Sequence, residues 1–134
     1  MARISANLAS EFYVASLLNR LEYTVTLTLG NTKQIDLLVS NDKGDKISID
    51  VKGLKDTTNW VFTPKLIRKD HFYVLVCFKN KFGNVEIQPE IYVIPSVEIK
   101  QVLSKWAGKP DVACVEYSKV NGSKYKDAWS LLFK

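Results

Sequence analysis

Residues 34–53 read QIDLLVSNDKGDKISIDVKG, two runs of alternating side chains joined by a turn. Ile35, Leu37 and Val39 alternate with Gln34, Asp36 and Leu38, and Ile47, Ile49 and Val51 alternate with Lys46, Ser48, Asp50 and Lys52. A period of two predicts a β-hairpin in which each strand turns one face to a core. Asn41-Asp42-Lys43-Gly44-Asp45 suits a three-residue loop closed by Gly44 in the left-handed conformation. Pairing Asn41 with Asp45 sets Asp36 opposite Asp50 and Gln34 opposite Lys52, because a one-residue slip would turn one branched apolar set to the wrong face. Two carboxylates facing each other across an antiparallel pair stand roughly 5 Å apart and repel. A divalent cation held by carboxylate oxygens would neutralise them, and Lys52 aims an ammonium at the same place.

Working outward toward the N-terminus, Ser5 can cap a helix running to about Arg20. Ile4, Leu8, Phe12, Ala15 and Leu18 fall within one arc, which predicts the buried face. Glu11 falls inside that arc. A glutamate on a core-facing stripe needs a partner, and the Asp36–Asp50 site is the expected one. A strand is expected over residues 22–29 (EYTVTLTL) and a turn at Gly30-Asn31-Thr32.

Beyond Gly53, whose missing side chain could admit substrate backbone, residues 54–59 read as a loop and 60–62 as a short extended piece. Trp60 is expected in the core. Pro64 can open a helical turn through Lys65, Leu66 and Ile67. Residues 72–78 (FYVLVCF) are almost wholly apolar and of strand length, which predicts an interior strand buried on both faces. A strand over 90–94 and a second helix from Ser96 follow, the helix with Val97, Ile99, Val102, Leu103 and Trp106 inward and ended by Gly108 and Pro110. Residues 112–117 read as a strand, 119–126 as a basic loop and 128–133 as a packing segment. His71 stands alone and is assigned a structural role.

The 134 residues predict one domain, 1–134, with enough apolar content for a real core. No apolar run approaches the roughly 18 residues of a membrane span, and MARISANLAS lacks the apolar region of a signal peptide. Cys77 and Cys114 have neither metal-ligand nor redox spacing, so reduced thiols and a cytoplasmic setting are expected. The net charge is +5, with seven basic against five acidic side chains over residues 41–70 and seven against four over 91–134. That excess suits a polyanionic partner.

Glu11 on a first helix, Asp36 on a strand and Asp50-Val51-Lys52 on the next resemble the spaced signature of the PD-(D/E)XK nuclease superfamily. The order of elements agrees over residues 5 to about 107. Ile35 stands where the family name has proline, a departure shared by many members. The resemblance implies an α/β, restriction-endonuclease-like fold with a mixed central β-sheet flanked by helices. It also implies Mg²⁺-dependent hydrolysis of phosphodiester bonds in nucleic acid, with DNA expected and Mn²⁺ able to substitute. Asp36, Asp50 and the Val51 carbonyl would ligate the metal, Glu11 would join as an outer or second-metal carboxylate, and Lys52 would orient water or stabilise developing charge. Gln34, Lys55, Lys65, Arg68 and Lys69 would contact nucleic acid. The size is similar to that of archaeal-type Holliday junction resolvases, with restriction-like and homing-type endonucleases as close competitors. A single site nicks one strand, so paired cuts imply a homodimer. The alternative is a catalytically inactive nucleic-acid-binding or assembly module on the same fold.

Overall fold

The hairpin forms in the expected register. In the computed structural model, which describes residues 6–28, 35–107, 109 and 111–134, Leu37 pairs with Ile49 and Val39 with Ile47. The turn is built by Asn41, whose Oδ1 accepts the N–H groups of Lys43 and Asp45 at 3.1 and 2.9 Å. Gly44 takes φ +86° there, a backbone that side chains with a Cβ rarely adopt.

The elements run α1 (Ala6–Arg20), β1 (Thr24–Leu27), β2 (Leu37–Ser40), β3 (Lys46–Leu54), β4 (Asn59–Val61), β5 (His71–Cys77) and β6 (Glu90–Pro95). A 3₁₀ helix (Ser96–Gln101) follows, then β7 (Leu103–Lys105), β8 (Ala113–Glu116), α2 (Tyr117–Val120) and a 3₁₀ turn (Trp129–Leu131). Five strands form a mixed sheet in the order β1-β2-β3-β5-β6, parallel only between β3 and β5. Every residue of β5 is buried, as its apolar run predicts for an interior strand.

The two faces of this sheet have different covers. Leu37, Ile49, Val51, Val74 and Val93 point to α1, which adds Val14, Ala15 and Leu18. Tyr73, Leu75, Tyr92 and Ile94 point the other way, into a layer holding Trp60, Phe62, Ile99 and Val115. That layer is a second sheet, ordered β4-β8-β7, with the short helices beside it. Trp60 is buried and its indole N–H donates to the Val76 carbonyl at 3.2 Å. Burying each such large side chain contributes roughly 1.5–3 kcal/mol, against about 0–1 kcal/mol for an exposed ion pair. Apolar packing, not surface charge, holds the sheet together: β5 and β6 pack on both faces, and β3 packs Ile47, Ile49 and Val51 on the α1 side.

Several expectations need correction. β3 lacks a solvated face: Ser48 and Asp50 are buried as well as Ile47, Ile49 and Val51. The strand is interior, with β2 on one side and β5 on the other. On α1, Leu8 and Phe12 are 46% and 52% exposed, while Ser10 is fully buried. The inner face is set by close approach to Gly53 rather than by the largest apolar residues. Residues 62–67 form no helical turn, because the Tyr73 hydroxyl donates to the Leu66 carbonyl and accepts its N–H, holding the segment open. The helix after Ser96 stops at Gln101, since Leu103 pairs with Val115 in the second sheet. Ser96 does not cap it; its hydroxyl donates to the Arg68 carbonyl and accepts the Arg68 N–H. The expectations for Ser5, Gly30, Asn31, Thr32, Gly108 and Pro110 lie outside the described residues.

Candidate active site

β2 ends as a paired strand at Leu37, and Asp36 sits at the bend before it. Its backbone is held from both sides: its N–H donates to the Ile49 carbonyl and its carbonyl accepts the Thr28 N–H, each at 2.9 Å. Thr28 Oγ1 also donates to the Ile35 carbonyl. Asp36 Oδ2 accepts the Val51 N–H at 2.7 Å. N–H and C=O of one residue leave a strand on the same edge, so the Val51 carbonyl also faces the Asp36 side.

Asp50 is 8% exposed. Burial first, then interaction with the neighbouring Asp36 carboxyl, raises its proton affinity well above the carboxylate range. Lys52 opposes the shift from a position with Nζ 3.6 Å from Asp50 Oδ1. The ammonium also lies 5.5 Å from the centre of the Phe62 ring. Glu11 joins from α1: burial, followed by the negative charge of Asp36, pushes its carboxyl up to about 7, with Lys52 acting against this. The helix comes this close because Gly53 has no side chain. A Cβ there would stand 2.4 Å from the Ala6 carbonyl oxygen and 2.5 Å from Ser10 Oγ. Gly53 therefore admits the helix backbone, and its N–H donates to Asn7 Oδ1 at 2.6 Å.

A cavity of about 270 Å³ opens beside the pair, lined by Asp50, Lys52 and Tyr73 from the sheet and by Phe62, Thr63, Lys65 and Leu66. Of the expected nucleic-acid contacts, Lys65 lines this cavity. Arg68 is paired with Asp70 at 2.7 Å, and Lys55 lies over the Phe82 ring at 4.7 Å. Lys69 borders a different hollow near the hairpin turn, with Asp45 and Lys46. Gln34 lies outside the described residues. The basic loop after Lys119 is also engaged: Lys124 pairs with Glu98 and Lys126 with Glu90, both at 3.6 Å.

Phe62, Thr63 and Tyr73 were not singled out from the sequence as site residues. Tyr73 was findable in part, since it stands beside Asp50 in the parallel register and alternation turns it to the same face. His71 is fully buried, bonded through Nδ1 to Ser48 Oγ at 2.7 Å and packed edge-on against Tyr73. Burial first, then the Arg68 charge, lowers its pKa to about 4.

Among the described residues, no group of three or more His, Cys, Asp and Glu side chains is placed to hold a metal ion. The donor set at the site is two carboxylates and one backbone carbonyl. That set fits Mg²⁺, which is held through one or two carboxylates and keeps several of its waters. Glu11 would then stand as an outer carboxylate.

No protein-family model matches the chain, and no curated protein is similar to it in sequence. In fold it is similar to a solved structure, that of the bacterial homing endonuclease I-Ssp6803I, at a TM-score of 0.59 and 17% identity, covering 94% of this chain and 89% of that one. The likeness is one of fold.

Proposed function

We propose that this chain is a metal-dependent nuclease of the PD-(D/E)XK type that hydrolyses phosphodiester bonds in DNA. The observation that carries the reading is the buried Asp50 beside the half-buried Asp36, with Lys52 3.6 Å from Asp50 at the wall of an open cavity. Two carboxylates pressed together under a sheet cost stability unless a proton or a cation neutralises them. The fold likeness to a protein named as a homing endonuclease supports the same reading.

Asp36, Asp50 and the Val51 carbonyl are the residues that would hold Mg²⁺, or Mn²⁺ in its place. Bound there, the ion would supply Lewis-acid stabilisation of the scissile phosphate and a lowered pKa for its water. Lys52 supplies a fixed positive charge toward which negative charge can develop, and Asp50 with the Phe62 ring holds that ammonium in position. Glu11 adds a carboxylate that orients water at the edge of the site. The Asp36–Val51 bond fixes the first carboxylate, so little reorganisation is needed when substrate arrives. Each chain has one such site, and a double-strand cut calls for a second copy of it.

The test is a panel of labelled duplex, single-stranded and four-way-junction DNAs and a structured RNA, incubated with Mg²⁺, Mn²⁺ or EDTA. Cleavage of at least one DNA that EDTA abolishes is the expected result. Binding without cleavage in either metal would replace this reading with a non-catalytic nucleic-acid module.

A further inference from the structure

We infer that residues 62–66 form a preformed site for the phosphate adjacent to the one being cleaved, with Lys65 and Thr63 as its contacts; this rests on the nuclease reading. The segment is tied at both ends. At one end the Phe62 N–H donates to the Ala113 carbonyl at 3.2 Å, and the Phe62 ring packs on Tyr73 with centroids 5.6 Å apart. At the other, the Tyr73 hydroxyl donates to the Leu66 carbonyl at 2.9 Å and accepts the Leu66 N–H at 3.3 Å. Pro64 fixes one further backbone angle between them. Thr63 and Lys65 project from this braced segment, exposed, into the cavity that Asp50 and Lys52 share.

Charge gives the ligand. Lys65 has no carboxylate within ion-pair distance among the described residues, whereas Lys52, Arg68, Lys124 and Lys126 each have one. An unpaired ammonium and a hydroxyl on a braced loop, lining the same cavity as Asp50 and Lys52, suit an oxyanion with several acceptor oxygens. On a polynucleotide held at Asp50 and Lys52, the neighbouring backbone phosphate is the group of that chemistry within reach of the same cavity. Because the segment is already ordered, gripping that phosphate costs little conformational entropy.

Phosphate contacts carry no sequence information, so a labelled duplex DNA of arbitrary sequence serves as the probe. Binding is followed over a salt series with Mg²⁺ present, for the wild type, Lys65→Gln, Thr63→Val and, as a charge-matched control, Lys43→Gln in the distant hairpin turn. Lys65→Gln is expected to weaken binding about tenfold and to flatten the logarithmic salt slope by roughly one, the loss of one released counterion. Thr63→Val is expected to weaken binding a few-fold without altering the slope. If Lys65→Gln binds like Lys43→Gln while the wild type binds normally, the inference is wrong and the nuclease reading stands. If the wild type shows no salt-dependent binding at all, both fall.

Discussion

Asp36 Oδ2 accepts the Val51 N–H at 2.7 Å, so a side chain continues a ladder whose paired register ends at Leu37 and Ile49. The same carboxylate meets Asp50, and the bond that fixes it is therefore part of the strand architecture.

Asp36→Ala removes the acceptor and leaves the N–H of a buried residue without it, a loss of roughly 1–3 kcal/mol. Asp36→Asn keeps an acceptor oxygen and loses only the charge. Thermal unfolding of the metal-free proteins should place Asp36→Ala clearly below the wild type and Asp36→Asn near or above it. Equal melting temperatures for the two variants would mean that the bond to Val51 carries no weight.

The pH dependence of stability has a definite sign at Asp50 and Glu11. Both carboxyls are raised in the folded protein, Glu11 from an ordinary 4.5 to about 7. As pH rises above the unfolded values, the unfolded chain ionises first and stability is lost until the folded groups ionise too. His71, lowered to about 4, acts oppositely by losing stability as pH falls below its ordinary 6.5. The difference between Asp50→Asn and wild type removes the His71 contribution. Without metal, that variant should melt progressively higher than wild type between pH 5 and pH 8, and added Mg²⁺ should raise only the wild type. A difference independent of pH would show that Asp50 is not titrating as the burial requires.

Gly53→Ala tests the approach of α1. The added Cβ would meet the Ala6 carbonyl oxygen at 2.4 Å, a backbone atom that moves only if the helix moves. Overpacking of this kind costs about 1–3 kcal/mol, and the displaced helix carries Glu11 with it. The variant should therefore lose both stability and cleavage rate. Wild-type behaviour in both would show that the helix adjusts without disturbing the site.

Period-two alternation made the central part of the structure legible. It fixes face and register together, so Ile47, Ile49 and Val51 against Leu37 and Val39 also determined that Asp36, Asp50 and Lys52 share the opposite side. The apolar run 72–78 likewise identified an interior strand. The cover on the charged face was legible only in part: the sequence marks extended pieces at 60–62 and 112–117, but not that β4 pairs with β8 far along the chain, nor that β7 cuts short the helix expected after Ser96. Consequently the roles of Phe62, Thr63 and Tyr73, and the burial of Ser48 and Asp50, were hidden. On α1 the apolar arc gives the wrong phase, because Ser10, a small residue whose hydroxyl donates to the Ala6 carbonyl, can be buried where backbones touch. Counting large apolar side chains favours Leu8 and Phe12 instead.

The most direct test of the nuclease account is the single-turnover rate at which Lys52→Ala cleaves, in Mg²⁺, a DNA that the wild type cuts. On that account Lys52, 3.6 Å from Asp50, would contribute charge to the reacting centre, so its loss should slow cleavage on the order of a hundredfold or more, with DNA affinity nearly unchanged. Asp50→Asn, measured alongside, should abolish both Mg²⁺ binding and turnover. Cleavage by Lys52→Ala and Asp50→Asn at the wild-type, metal-dependent rate would contradict the site assignment, whatever the fold.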